Sequence, residues 1–189
     1  MTRTFPILIL LLAMFGSPAP LVAAEPVGDG LAVLAWLVGD WVGVGEGQPG
    51  ISASLRHAER MQDGHFIRVD GRSVYPRQER NSTGETHSSM DVWSYDRRRG
   101  LLVLRQFDSL GFASTYVQDA AASRDGHIVM VSEHLENVPA GWRARYTYEH
   151  PSADEYREVF ELDAGRGLEP YVTGRFLRSR REPGAAPPS

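Results

Sequence analysis

The chain reads as an all-β protein, an antiparallel up-and-down β-barrel of about ten strands with a short N-terminal helix in front. Three observations predict this. Short stretches of strand composition recur along the chain, each closed by a turn signal such as Asp63-Gly64 or Asp125-Gly126. The gaps between them are short, so neighbours in sequence can pair directly. Trp41, Gly43, Gly45 and Gly47 recur at every second position, the period of one strand face.

The elements follow in order. Leu31, Leu34, Leu37 and Val38 fall on one face of a short helix over 30–38, which Gly39 ends. The first strand is Trp41 to Gly47. The second alternates Ile51, Ala53, Leu55, His57, Glu59 and Met61 against Ser52, Ser54, Arg56, Ala58 and Arg60. Further strands are expected over 65–75, 87–95, 101–108, 112–118, 127–135, 142–150, 155–162 and 171–178, separated by turns rich in Gly, Pro, Asp and Asn. The polar stretch Arg77 to His87 is the longest connection and is suited to covering one mouth. Polar residues occupy both faces of most strands, which suits a barrel with a lined cavity better than a tightly filled one. Alternation alone does not decide which face is inside.

The ends carry other information. Arg3, the apolar run Ile7–Phe15 and the small residues Val22-Ala23-Ala24 fit a cleavable signal peptide over 1–24, cut after Ala24. The apolar run falls short of the roughly 18–20 residues that span a bilayer. A lead-in over 25–30, a barrel domain over 31–178 and a disordered Pro- and Gly-rich tail over 179–189 complete the division. The mature protein is expected to be periplasmic or secreted, with no stable membrane insertion, and monomeric or weakly dimeric.

Composition removes several chemistries. There is no Cys, so thiol catalysis, thiolate metal sites, disulfides and lipid attachment through Cys are excluded. All basic side chains other than His are Arg, which excludes lysine Schiff bases and a Walker lysine. A net charge of −4 makes nucleic acid an unsuitable partner.

Several phrases in order carry a resemblance. They are Leu34-x-x-Leu-x-Gly-x-Trp-x-Gly-x-Gly45, Met90-Asp-Val-Trp-Ser-Tyr-Asp96, Phe107-Asp-Ser-Leu-Gly111, Trp142-Arg-Ala-Arg-Tyr-Thr-Tyr148 and Glu158-Val-Phe-Glu161. Together they resemble a bacterial family of exported calycin-like barrels, related in kind to lipocalin and fatty-acid-binding folds. The resemblance implies a fold and a small-molecule ligand. The opening Gly39-Asp-Trp-Val-Gly-Val-Gly-Glu-Gly47 is also similar to nitrobindin-type haem barrels, which imply haem and chemistry on reactive nitrogen species. Two departures stand against that: Gln48-Pro49 replaces an expected Tyr-Pro, and Tyr171 stands where the proximal His would fall. Tyrosine can ligate ferric haem, so haem stays possible as a cofactor.

No catalytic motif is present. His87 and Ser88 are adjacent on a strand and point to opposite faces, and there is no Gly-x-Ser-x-Gly elbow. The six histidines show no metal-binding spacing, so no metal site is expected. Asn81-Ser-Thr83 matches a glycosylation sequon. Candidate ligand contacts are Trp41, His57, Glu59, Arg105, Tyr116, Arg145 and Tyr171. His57 and Glu59 share one face as polar lining or base and orienter; the competing reading is outward pairing with an Arg. Arg105, Tyr116 and Arg145 sit mid-strand, and an Arg–Tyr cluster is how other calycins anchor carboxylates. The four Trp read as core and barrel-end plugs. The expected function is binding of a small, partly apolar ligand, with a nitrobindin-like haem protein and a barrel isomerase or cyclase for a lipid-like substrate as alternatives.

Overall fold

The computed structural model describes residues 30–179. The expected signal segment, the lead-in apart from Gly30, and the tail apart from Ser179 lie outside the described residues. Ten strands form a closed barrel: β1 (Gly39–Gly47), β2 (Gly50–Met61), β3 (Phe66–Tyr75), β4 (Glu85–Asp96), β5 (Leu101–Asp108), β6 (Ala113–Gln118), β7 (His127–Glu136), β8 (Arg143–Ser152), β9 (Glu155–Asp163) and β10 (Glu169–Arg178). Each strand pairs antiparallel with its neighbours in sequence, and β10 returns to β1 to close the ring. Closure leaves no free edge. No described helix is long and apolar enough to cross a membrane.

The expected helix is a short 3₁₀ segment, Ala32–Leu37. A tight 3₁₀ turn puts Leu31, Leu34 and Leu37 above one another, and all three are buried in one end of the barrel. Trp41 anchors this plug by donating its indole N–H to the Leu37 carbonyl at 2.8 Å. Arg178, at the far end of the chain, donates to the carbonyls of Trp36 (2.7 Å) and Val38 (2.8 Å). Its guanidinium lies 4.2 Å from the Trp41 ring centroid. One side chain thereby supplies donors to helix-end carbonyls that lack them and staples β10 to the plug. Ile67, Trp93, Leu102, Leu104, Met130 and Tyr156 complete this closed-end core.

Strand parity sets the rest of the interior. On β2 the inward residues are Ser52, Ser54, Arg56 and Ala58, while Ile51, Leu55, His57 and Glu59 point out. The pattern is inverted with respect to a simple apolar core. Val42, Val44, Ile51 and Leu55 are exposed on the outer surface, and serines face in. Three register shifts interrupt the ladders, one of them at Glu149/Ser152 between β8 and β9, and the other two bear on the cavity. The register between β6 and β7 shifts at Thr115/Tyr116, so Tyr116 opposes Ser132 while Thr115 opposes His134. The β10–β9 register shifts between Pro170 and Val172, leaving Tyr171 as the extra residue.

Candidate functional site

The half of the barrel opposite the plug encloses a cavity of about 450 Å³, within the range of small-molecule pockets. Its lining is divided. β2, β3 and β4 present Ser52, Ser54, Ser73 and Ser89. Phe160, Leu162, Val172, Leu135 and Phe112, from β9, β10, β7 and the β5–β6 loop, form an apolar wall. One wall suits hydrogen-bonding groups and the other suits a hydrocarbon or aromatic body.

The serine wall is internally connected. Ser54 donates to Ser73 at 2.8 Å, and the Ser52 and Ser54 hydroxyls lie 3.4 Å apart. The Tyr75 hydroxyl, whose pKa burial raises, hydrogen-bonds Ser52. The ribbon ends on Arg56, which donates to Ser73 at 3.3 Å and to the Leu55 carbonyl at 3.0 Å. Arg56 also reaches across to β9, where its Nη2 lies 3.4 Å from Glu158 Oε1. The two side chains keep 14% and 15% of their surface exposed, and both line the cavity.

Glycine makes this arrangement fit. Arg56 opposes Gly71, which opposes Ser89. A Cβ on Gly71 would stand 2.5 Å from Ser89 Oγ and 3.1 Å from Arg56 Cδ, so only the bare backbone lets the arginine lie across β3. Gly43 does the same for Phe176, whose ring carbon would be 2.5 Å from an added Cβ. Phe176 stacks on Tyr156 at 4.6 Å between centroids and carries the Arg56 guanidinium 5.0 Å from its centroid, a cation–π contact in a desolvated place. Of the alternating glycines of β1, Gly43 thus serves the aromatic floor of the cavity, while Gly45 makes room for Ser52 and Gly47 for the Tyr171 backbone.

A second polar chain lies beside the first. Tyr146 donates to Gln106 Oε1 at 3.3 Å, and the Gln106 side chain hydrogen-bonds Asp91 across the strand pair. Asp91 is buried on the inward face of β4 between Ser89 and Trp93, and its Oδ1 has no hydrogen-bond partner. Burial pushes its pKa up to about 7, against the opposing pull of Arg56 and Gln106. Burial likewise raises Glu158, with Arg56 opposing, and drives Tyr146 and Tyr148 well above the ordinary phenol value. Chemically, the floor holds a guanidinium, a neighbouring carboxylate, and a second carboxyl that exchanges its proton near neutral pH.

The sequence-derived candidates separate cleanly. Tyr116 is buried and lines the cavity. Tyr171 lines its mouth, with its ring edge-on to Phe160 at 5.9 Å. Trp41 belongs to the plug rather than to the cavity. His57 faces outward and pairs with Asp40 at 2.7 Å. Glu59 also faces outward, opposite Arg68 in register. Arg105 points to the exterior, where it donates to Ser94 at 3.2 Å. Arg145 forms a two-point pair with Glu161 on the outer face, at 2.5 and 2.7 Å. The reason is common to all four: each has the outward parity of its strand. The guanidinium inside is Arg56, which sequence reasoning passed over. Arg56 shares a face with Ser52, Ser54 and Ala58, and His57 with Ile51 and Leu55, so hydrophobicity pointed to the opposite face of β2.

Haem fits this lining poorly. Tyr171 sits at the rim, and a flat macrocycle would lay one apolar face against a wall of serines. Among the described residues, no group of three or more His, Asp or Glu is placed to hold a metal ion.

The crystal structure of Rv2717c from M. tuberculosis superimposes on this chain with a TM-score of 0.62. The match covers 82% of this chain and 100% of that one, at 16% identity. At the level of the fold, this is a calycin-like barrel. No protein-family model and no curated protein matches the chain.

Proposed function

We propose that this calycin-like barrel is an exported binder of a small, partly apolar molecule, held in the cavity at the open end. The observation that carries the reading is the divided lining. A serine wall ending on Arg56 and Glu158 faces a wall built from Phe160, Leu162, Val172 and Leu135. A molecule with one polar end and an apolar body satisfies both walls at once, and burial of its body supplies the driving force. Connection of the serines to one another and to Arg56 lowers the cost of orienting them on binding. The protein acts as a monomer or weak homodimer after removal of the segment before Glu25.

The test is direct. Protein recovered from the periplasm or medium begins at Glu25, and native mass spectrometry shows a small molecule retained with it. The protein, stripped of that molecule, binds 1-aminoanthracene with a fluorescence rise. Ser54→Trp, which fills the cavity, abolishes the rise while circular dichroism stays that of the parent. Absence of both a retained molecule and probe binding refutes the proposal.

A further inference from the structure

We infer that the cavity selects a ligand whose polar end is a neutral group carrying an acceptor beside a donor, such as an amide or lactam, and rejects a carboxylate. The inference rests on the cavity-binding reading above and names the chemistry of the bound end. It runs against what an Arg–Tyr carboxylate anchor would imply, because the arginines expected for that anchor, Arg105 and Arg145, lie outside the barrel.

Four observations support it. Arg56 is the one guanidinium among the residues lining the cavity, and its charge is already faced by Glu158, while some of its five N–H donors stay available. Its Nη2 faces Glu158 at 3.4 Å, and its Nη1 donates to Ser73 and Leu55. Asp108 also lines the cavity, with Oδ1 held by the Leu110 and Phe112 N–H groups at 2.8 and 3.3 Å. Asp91, the next inward-facing residue of β4 after Ser89, is buried with an unpartnered oxygen. One cation therefore faces two lining carboxyl groups, with a third close by. An incoming carboxylate meets like charge in a poorly solvated place, where repulsion is weakly screened.

An ammonium head fails for the opposite reason: seated on Glu158, it stands next to the Arg56 guanidinium. A neutral amide avoids both penalties. Its carbonyl accepts from Arg56, and its N–H donates to Glu158, which Arg56 reaches only through a long 3.4 Å contact. Among the described residues the pair thus presents a donor and an acceptor side by side, the complement of an amide edge.

The experiment uses three ligands that share one apolar body: 2-naphthamide, 2-naphthoate and 2-naphthylmethylamine. Each displaces 1-aminoanthracene from the mature protein at pH 7.5. The amide is expected to bind at least tenfold more tightly than either charged analogue. In Glu158→Gln the carboxylate gains at least tenfold relative to the amide. The wild-type ranking stands as a test whether or not that variant folds. If the probe binds but the carboxylate or the amine equals or beats the amide, or none of the three displaces the probe, the head-group inference is overturned and cavity binding stands. If the probe does not bind at all, both fall.

Discussion

Asp91→Asn isolates the effect of one buried carboxyl on stability. The side chain is 8% exposed, one oxygen has no partner, and burial raises its pKa from 3.8 to about 7. The folded protein therefore holds a proton that the unfolded chain releases. For a raised acid, the stabilisation is fully present below the unfolded value of 3.8 and is lost as pH rises through about 7. At about 1.4 kcal/mol for each tenfold change in proton affinity, the span amounts to about 4 kcal/mol. Asparagine keeps the shape and carries no such pH dependence. Urea unfolding of both proteins, followed by tryptophan fluorescence at pH 4.5, 6, 7 and 8, gives the difference in unfolding free energy. Over that range the difference should move in favour of the asparagine variant with rising pH, by about 3 kcal/mol, mostly below pH 7. A difference that is flat with pH, or that favours the variant more at low pH, refutes the account of Asp91 as a buried, under-solvated acid.

Four other outcomes follow from the same geometry. Gly43→Ala forces a methyl into the Phe176 ring and against the Arg175 carbonyl, and should cost about 1–3 kcal/mol by chemical denaturation; a neutral result means the floor repacks freely. Arg56→Met leaves Glu158 buried without its donor and should cost about 3–5 kcal/mol, while adding Glu158→Met should recover part of that loss; strict additivity in the double variant would show that the pair is uncoupled. Asp163 is held at about 2 by the Arg143 side chain and the Gly167 and Gly165 N–H groups. Its contribution is present above the unfolded value near 3.8 and is lost as pH falls toward 2, so Asp163→Ala should flatten the acid limb of the stability profile, and an unchanged limb would count against the clamp. Addition of ferric haem to the mature protein should leave the Soret spectrum that of free haem; a shifted, saturable band would show that the serine wall accepts a macrocycle.

Much of the fold was legible because turn chemistry is local. Asp63-Gly64, Asp125-Gly126, Pro139–Gly141 and Gly165–Pro170 mark chain reversals with residues that accept reversed or left-handed backbone, and β5 spans Leu101–Asp108 as those signals imply. The plug was legible from the spacing of Leu31, Leu34 and Leu37. Less of the candidate site could be read, because its selection rests on one bit per strand: which parity faces in. On β2 the apolar residues Ile51 and Leu55 lie on the outside and Ser52, Ser54 and Arg56 on the inside, the reverse of what hydrophobicity alone favours. That inversion hid Arg56 and drew attention to His57, Glu59, Arg105 and Arg145. The bulges that turn Leu135 and Tyr171 toward the cavity have no clear mark in the sequence.

The sequence by itself therefore determined the number, order and direction of the strands, since turns and period-two stretches depend on neighbouring residues. Only the tertiary structure decided the inside of the barrel. Closure of β10 on β1 brings Glu158 to Arg56 across 102 residues, and the inward glycines clear the space that lets Phe176 and Arg56 lie between the walls. A cavity is defined by all ten strands together, and no window of sequence contains the distances that set its chemistry.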